Sequence, residues 1–217
     1  MNTFTRLLVG AALVAVLPNI MAASSAEVTV TGTIVPGACT PTLGTQHFDH
    51  GRISIGDLQR DAPTDLFNRR LSTTLNINCT SHTSYGIRGV DNRATSVASN
   101  VGFSSYGLGL TSTGEKIGQH FMLIDSQQSQ IDGKPAYITA SAAGDTWESA
   151  RVAVIGIRNN GGLLGLHDTQ GPVTGPLPVK DAALRLNSVL FINPTSGLTL
   201  NSEVPLDGAA TIELVYL

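Results

Sequence analysis

Apolar residues recur at every second position over most of the chain beyond residue 26. Val28, Val30, Gly32 and Ile34 fall on one side of an extended stretch, with Thr29, Thr31 and Thr33 on the other. That two-residue period predicts a strand over 28–34, leading into Cys39. Pro36, Gly37 and Pro41 punctuate the approach to that cysteine. Ile53 and Ile55 predict a short strand, and residues 57–68 a helical turn or loop interrupted by Pro63. Leu71, Thr73, Leu75 and Ile77 form a further alternating run that Cys79 closes, with one change of phase expected around Leu75. Tyr85, Ile87 and Gly89 predict the next strand, which ends at the turn pair Asp91-Asn92.

The middle of the chain interleaves glycine with apolar residues. Phe103, Tyr106, Leu108 and Leu110 stand among Gly102, Gly107 and Gly109, a pattern of short strand pieces between bulges or tight turns. Residues 117–125 predict a strand with Phe121 and Leu123 on one face and Met122 and Ile124 on the other. Asp132-Gly133 is a hairpin signal, and 137–139 is the returning strand. Val152, Val154, Ile155 and Ile157 predict another strand that ends over 159–162, and 165–178, with three prolines and three glycines, reads as an ordered loop or short edge pieces. Residues 182–192, 198–200 and 211–217 complete the series. Nowhere do twelve residues keep a clean helical period, so the chain is all-β, and many short strands between Gly/Pro/Asn turns mean a sandwich or barrel.

Residues 1–26 follow different rules. Arg6 is the one charge before Glu27, residues 7–17 are apolar without a break, and Pro18-Asn19 precede the small residues Ser24 and Ala26. This order predicts a cleavable signal peptide over 1–26, with export to the periplasm or cell surface and a single domain over 27–217. Eleven apolar residues are too few for a bilayer span, which needs about 20, and no later stretch is longer. About 190 residues remain after cleavage, enough for one substantial core. Cys39 and Cys79, the two cysteines of the sequence, sit at the ends of predicted strands in an exported chain and are expected to form one structural disulfide.

Charge adds mainly exclusions. The formal net charge of −3 becomes −4 without Arg6, as 12 basic residues then face 16 acidic ones, all scattered. No positive stripe exists for nucleic acid. Phosphate-loop, zinc-helix, nucleophile-elbow and calcium-loop patterns are absent from the sequence, so no catalytic residue, metal or cofactor is assigned. His47, Asp49 and His50 are close enough for a metal pair, but a third ligand from His82, His120 or His167 is not singled out, and a surface loop is the expected role. Serines occur without an identifiable histidine and acid, and an enzyme is not expected. Trp147 with Tyr85 and Tyr106 could line a glycan-binding face, although core roles are the stronger expectation. Asn78-Cys79-Thr80 spells a glycosylation sequon but coincides with the bridge.

Five local patterns carry a resemblance. They are Val30-Thr31-Gly32-Thr33-Ile34 with Cys39-Thr40-Pro41; Asp91-Asn92-Arg93-Ala94; Gly107-Leu108-Gly109; Lys116-Ile117-Gly118; and Val204-Pro205-Leu206-Asp207-Gly208 with residues 211–217. In these the chain resembles pilin subunits of the bacterial chaperone–usher pathway and, more closely, a GltF-like family of exported fimbrial-like proteins. The resemblance implies an immunoglobulin-like (pilin-like) β-sandwich with one disulfide, lacking its last strand. It further implies a periplasmic chaperone that lends a strand, an outer-membrane usher, and other fimbrial subunits as partners. Cys39 and Cys79 would be the bridge, and Ile212, Leu214 and Tyr216 would share one face of the strand beside the open groove. Leu217 would offer the carboxylate that a chaperone anchors. A pilin that polymerises carries a donor segment before its first strand, whereas here only Glu27 precedes Val28 after cleavage. The expected role is therefore a structural fimbrial or fimbrial-like subunit, terminal or non-polymerising, with a self-contained periplasmic binding or regulatory module as the alternative. Extra strands in the glycine-rich middle could complete such a module internally.

Overall fold

The computed structural model describes residues 26–33, 37–97 and 104–217; residues 1–25 of the expected signal peptide lie outside them. Contacts divide the chain at Val35/Pro36. In the unit from Pro36 to Leu217, the described strands are β1 (Cys39–Leu43), β2 (Thr64–Asp65), β3 (Leu71–Thr83), β4 (Tyr85–Asp91), β5 (Ser105–Gly107), β6 (Gly118–Ile131) and β7 (Lys134–Pro135). They continue as β8 (Tyr137–Ser141), β9 (Glu148–Ser149), β10 (Val154–Gly156), β11 (Leu163–His167), β12 (Val179–Ile192) and β13 (Ala210–Tyr216).

The strands form two antiparallel sheets. The first runs β1–β3–β12–β6–β10, with β2 on β12 and β5 and β7 on β6; the second runs β13–β4–β11–β8–β9. Alternation in sequence becomes alternation in space. Along β3, Thr73, Leu75, Ile77 and Cys79 are buried in one unbroken series, so the expected phase change near Leu75 does not occur. Leu75, Ile77, Ile124 and Leu184 of the first sheet share one core with Ile87, Ile138, Leu164 and Leu166 of the second, which makes the molecule an immunoglobulin-like all-β sandwich. Each such side chain contributes roughly 1.5–3 kcal/mol on full burial. The β6–β7 hairpin turns on Asp132 (φ 46°) and Gly133 (φ 76°), both left-handed as the tight turn requires. Asp132 also accepts the backbone N–H of Asp181 at 2.8 Å, which secures a non-glycine residue in that conformation.

Cys39 and Cys79 are bonded to each other, and they are direct partners in the β1/β3 register. Cys39 nevertheless begins its strand instead of ending one. Residues 28–33, the described part of the expected 28–34 strand, belong to no strand, and Val28 and Val30 are 83% and 90% exposed. A period of two says which side chains share a face; a strand also needs a neighbouring edge, and β3 has given that edge to residues after Cys39. Three further expectations change. Ile55 opens a 3₁₀ turn, Ile55–Asp57, instead of a strand with Ile53. Residues 198–200 follow another 3₁₀ turn, Thr195–Gly197, without joining a sheet. The loop expected over 165–178 begins inside β11, which lies at the centre of the second sheet. Gly165 hides that strand in the sequence: a Cβ there would come within 2.7–2.9 Å of Pro176, Thr139 and Trp147.

Candidate functional site

β13 ends the second sheet, and its outer edge meets no strand among the described residues. The glycine-rich middle does not complete it, because β5 pairs with β6 in the other sheet. On the opposite side, Gly44 N–H still donates to the Thr74 carbonyl at 2.9 Å, after which residues 46–53 make no backbone–backbone hydrogen bond among the described residues. Both segments border one cleft of about 1010 Å³. Its floor is the inner face of the first sheet, with Leu186, Ser188, Leu190 and Ile192 from β12 and His120 and Met122 from β6. Leu43 and Phe48 stand on one wall, Ala210 and Ile212 on the other.

The floor is apolar except at one spot. Ser188 interrupts the inward leucines and isoleucine of β12, and His120 interrupts the inward series of β6. The register sets Ser188 opposite Met122 and Leu190 opposite His120, so the two polar residues are diagonal neighbours. His50 Nε2 lies 3.2 Å from Ser188 Oγ. The His120 ring packs on Tyr106 at 5.2 Å between centroids, and its buried Nε2 has no hydrogen-bond partner among the described residues. Burial pushes the His120 imidazole down to about 4, with nearby Asp91 opposing and His50 adding to the shift. Burial and Arg69 lower His50 as well, against the pull of Asp49. Both rings are therefore neutral at pH 7.

The two ends of β13 are held differently. At one end, Cys39 N–H donates to Tyr216 Oη at 2.8 Å and Leu217 N–H to the Ser84 carbonyl at 3.1 Å, beside the disulfide. At the other, residues 198–209 cross the sandwich without regular structure. They are tied by Asp207 N–H to the Leu108 carbonyl at 2.9 Å and by the Arg93 guanidinium to both Asp207 carboxylate oxygens at 2.9 and 3.0 Å. That pairing holds the Asp207 carboxyl below its ordinary range. An ion pair between Arg52 and Glu203, both largely exposed, joins the two borders of the cleft.

Of the residues singled out in the sequence, Ile212 lines the cleft and Leu214 packs beside it on the core. Tyr216 and Leu217 are about half exposed and stand outside the cleft lining, at the closed end. His47 and Asp49 border the cleft with His50, but the described residues contain no group of three metal-ligating side chains. Tyr85 and Tyr106 are buried core residues, the latter donating to the Ile157 carbonyl at 2.9 Å. Trp147 is half-buried against the β11 backbone at Gly165. The His50–Ser188 contact has the separation of a base and a nucleophile. Ser188 sits mid-strand, paired with Leu71 on one side and Met122 on the other, so the backbone around it is committed to ladders and offers no oxyanion donors. The sequence reading missed the polar spot, although its signal was there: a histidine and a serine each breaking an apolar alternation.

Comparison with known proteins adds two findings. The chain is 27% identical to Protein GltF of Escherichia coli (strain K12) over 234 aligned positions, which take in 88% of each chain. Residues 28–104 match the family described as Protein of unknown function (DUF1120), a stretch that includes both bridge cysteines and runs through β4.

Proposed function

We propose that this protein is an exported fimbrial or fimbrial-like structural subunit whose cleft accepts a strand from a partner. The observation that carries the reading is that the outer edge of β13 and the segment 46–53, neither with a strand partner among the described residues, border one cleft with a largely apolar floor. An entering strand gains main-chain pairing along β13 and buries alternate side chains on the floor. The disulfide fits an oxidising compartment such as the periplasm, and a periplasmic chaperone, an usher and further subunits are the partners of this reading. In this reading a terminal or non-polymerising place remains one form of the role, and residues 26–33, which alternate, are exposed and stand in no strand, are the segment that would serve as a donor in a polymerising one. No catalytic step is part of the proposal.

Hydrogen exchange of the purified protein, alone and with a cognate periplasmic chaperone, tests it. The amides of β13 that face away from β4 are weakly protected alone and become strongly protected in the complex. A monomer with full protection across β13 and no response to the chaperone rejects the reading. One observation favours a second reading, a self-contained periplasmic binding module: the cleft volume is at the upper end of small-molecule sites, which span roughly 300–1,000 Å³.

A further inference from the structure

We infer that the strand taken by the cleft is selected at a single inward position, where a hydroxyl-bearing side chain, Ser or Thr, meets the polar spot formed by His50, Ser188 and His120. The inference rests on the strand-accepting reading and adds the chemistry of the partner. Inward residues of a strand recur about 6.6 Å apart, so one of them covers the spot while those before and after it fall elsewhere. On β12 the neighbours of Ser188 along the floor are Leu186 and Leu190, and on β6 the neighbour of His120 is Met122, so the flanking inward residues of the guest are apolar.

The polar spot has unused hydrogen-bonding capacity. Among the described residues, His120 Nε2 is without a partner at a residue 91% buried, and Ser188 Oγ has His50 alone. An apolar side chain placed over them would exclude water and leave that capacity unmet. A hydroxyl can donate to one atom and accept from another, and it needs no charge beside two neutral imidazoles. Room is kept by Gly208, which also lines the cleft: a Cβ at that position would lie 3.2 Å from His120 Nε2. Carboxylate or ammonium side chains are disfavoured at this position, because the floor around the spot, Leu186, Leu190 and Met122, gives a buried charge no partner, and the charged lining residues Asp49, Arg52 and Glu203 are exposed at the borders.

The test uses the purified full chain and fluorescein-labelled eleven-residue peptides with alternating apolar residues. Within the set, one inward Val is replaced by Thr at each successive position, and binding is read by anisotropy. In one register the Thr peptide binds about tenfold more tightly than its Val parent, the size of one well-placed hydrogen bond to a group otherwise left unpaired. The preference disappears or reverses in His120→Leu, and Ser188→Ala reduces it should His120→Leu fail to fold. Peptides that bind with equal affinity at every position, or a preference untouched by both variants, overturn the inference and leave strand acceptance standing. Failure of every peptide to bind overturns strand acceptance and the inference together.

Discussion

The two ends of β13 solve the same problem in opposite ways. At the Tyr216 end, the Cys39 N–H to Tyr216 Oη bond links the two sheets, beside a covalent bridge that ties β1 to β3 within the first sheet and a Leu217 N–H to Ser84 bond that continues the β13–β4 ladder of the second. At the Ala210 end the space between the sheets stays open as the cleft: residues 198–209 pass across the sandwich, tied through Asp207 to Leu108 and Arg93, and the exposed ion pair Arg52–Glu203 joins the cleft borders. In the chain-entropy model a bridge over a 40-residue separation stabilises by roughly 4 kcal/mol. An exposed ion pair contributes about 0.2–1 kcal/mol. The comparison teaches that one sheet edge can be fastened beside a covalent bridge at one end and border an open cleft at the other. Opening at the cleft end is then expected to leave the fastened end closed.

The strongest way to break the contrast is to remove the anchor. Cys39→Ala combined with Cys79→Ala is expected to lower the unfolding free energy by about 2–5 kcal/mol in urea titration. Amide protection near Tyr216 should fall toward that near Ala210. An unchanged midpoint would show that packing alone holds the closed end.

Acid attacks the open end next. The folded His120 titrates near 4, below its ordinary 6.5, because burial opposes its charged form. The unfolded chain therefore binds the extra proton first as pH falls. The stabilisation is fully present above about 6.5 and is lost between 6.5 and 4, a loss on the order of 3 kcal/mol at the lower limit. His50, lowered by burial and Arg69, acts with the same sign. Asp207, Asp168 and Glu115, held low by hydrogen-bond partners, withdraw their own contributions as pH falls further, through their folded values. Comparison of His120→Leu with the parent isolates the histidine: its stability profile should be flatter from pH 6.5 to 4. Parallel profiles would place His120 in contact with water.

A smaller effect sharpens the closed end. Tyr216→Phe removes the acceptor for Cys39 N–H while leaving the bridge, at an expected cost of about 0.5–1.5 kcal/mol. Faster exchange at the amides of residues 39 and 217, with no change near Ala210, is the readout. Acceleration at both ends would contradict the independence drawn above.

What could be read from the sequence follows the same division. The disulfide, β4, β6, β12 and β13 were legible because each has a long alternation and a definite turn or cysteine at its end. Of the strand expected over 28–34, the described residues 28–33 form none although their alternation is as regular as that of β3, because a period of two does not say whether a neighbouring edge is free, and that is a property of the fold. β11 was missed because Gly165, demanded by the close approach of Pro176 and Trp147, looks like a loop residue. The cleft was partly legible. Ile212 pointed to it, whereas Ser188 and His120, far apart in sequence, become neighbours only through the β6/β12 register.

The smallest expected effect concerns Arg52 and Glu203, and it tests whether the open end is fastened at all. Their side chains are 88% and 81% exposed, so water and salt screen the attraction and two long side chains lose rotamer freedom to form it. A double-mutant cycle with Arg52→Ala and Glu203→Ala should give a coupling of a few tenths of a kcal/mol at low salt, vanishing near 1 M. Global stability is then almost indifferent to the pair, yet the borders of the cleft are freer without it. The variants should take up a complementing peptide faster, with the dissociation rate little changed, since the ion pair is broken before the strand is seated. Stopped-flow anisotropy separates the two rates. An association rate that ignores both substitutions, at low and high salt alike, would mean that the cleft is open irrespective of the bridge across it. A coupling well above 1 kcal/mol would mean that the open end is locked nearly as firmly as the end beside Cys39 and Cys79, and the contrast between them would fail.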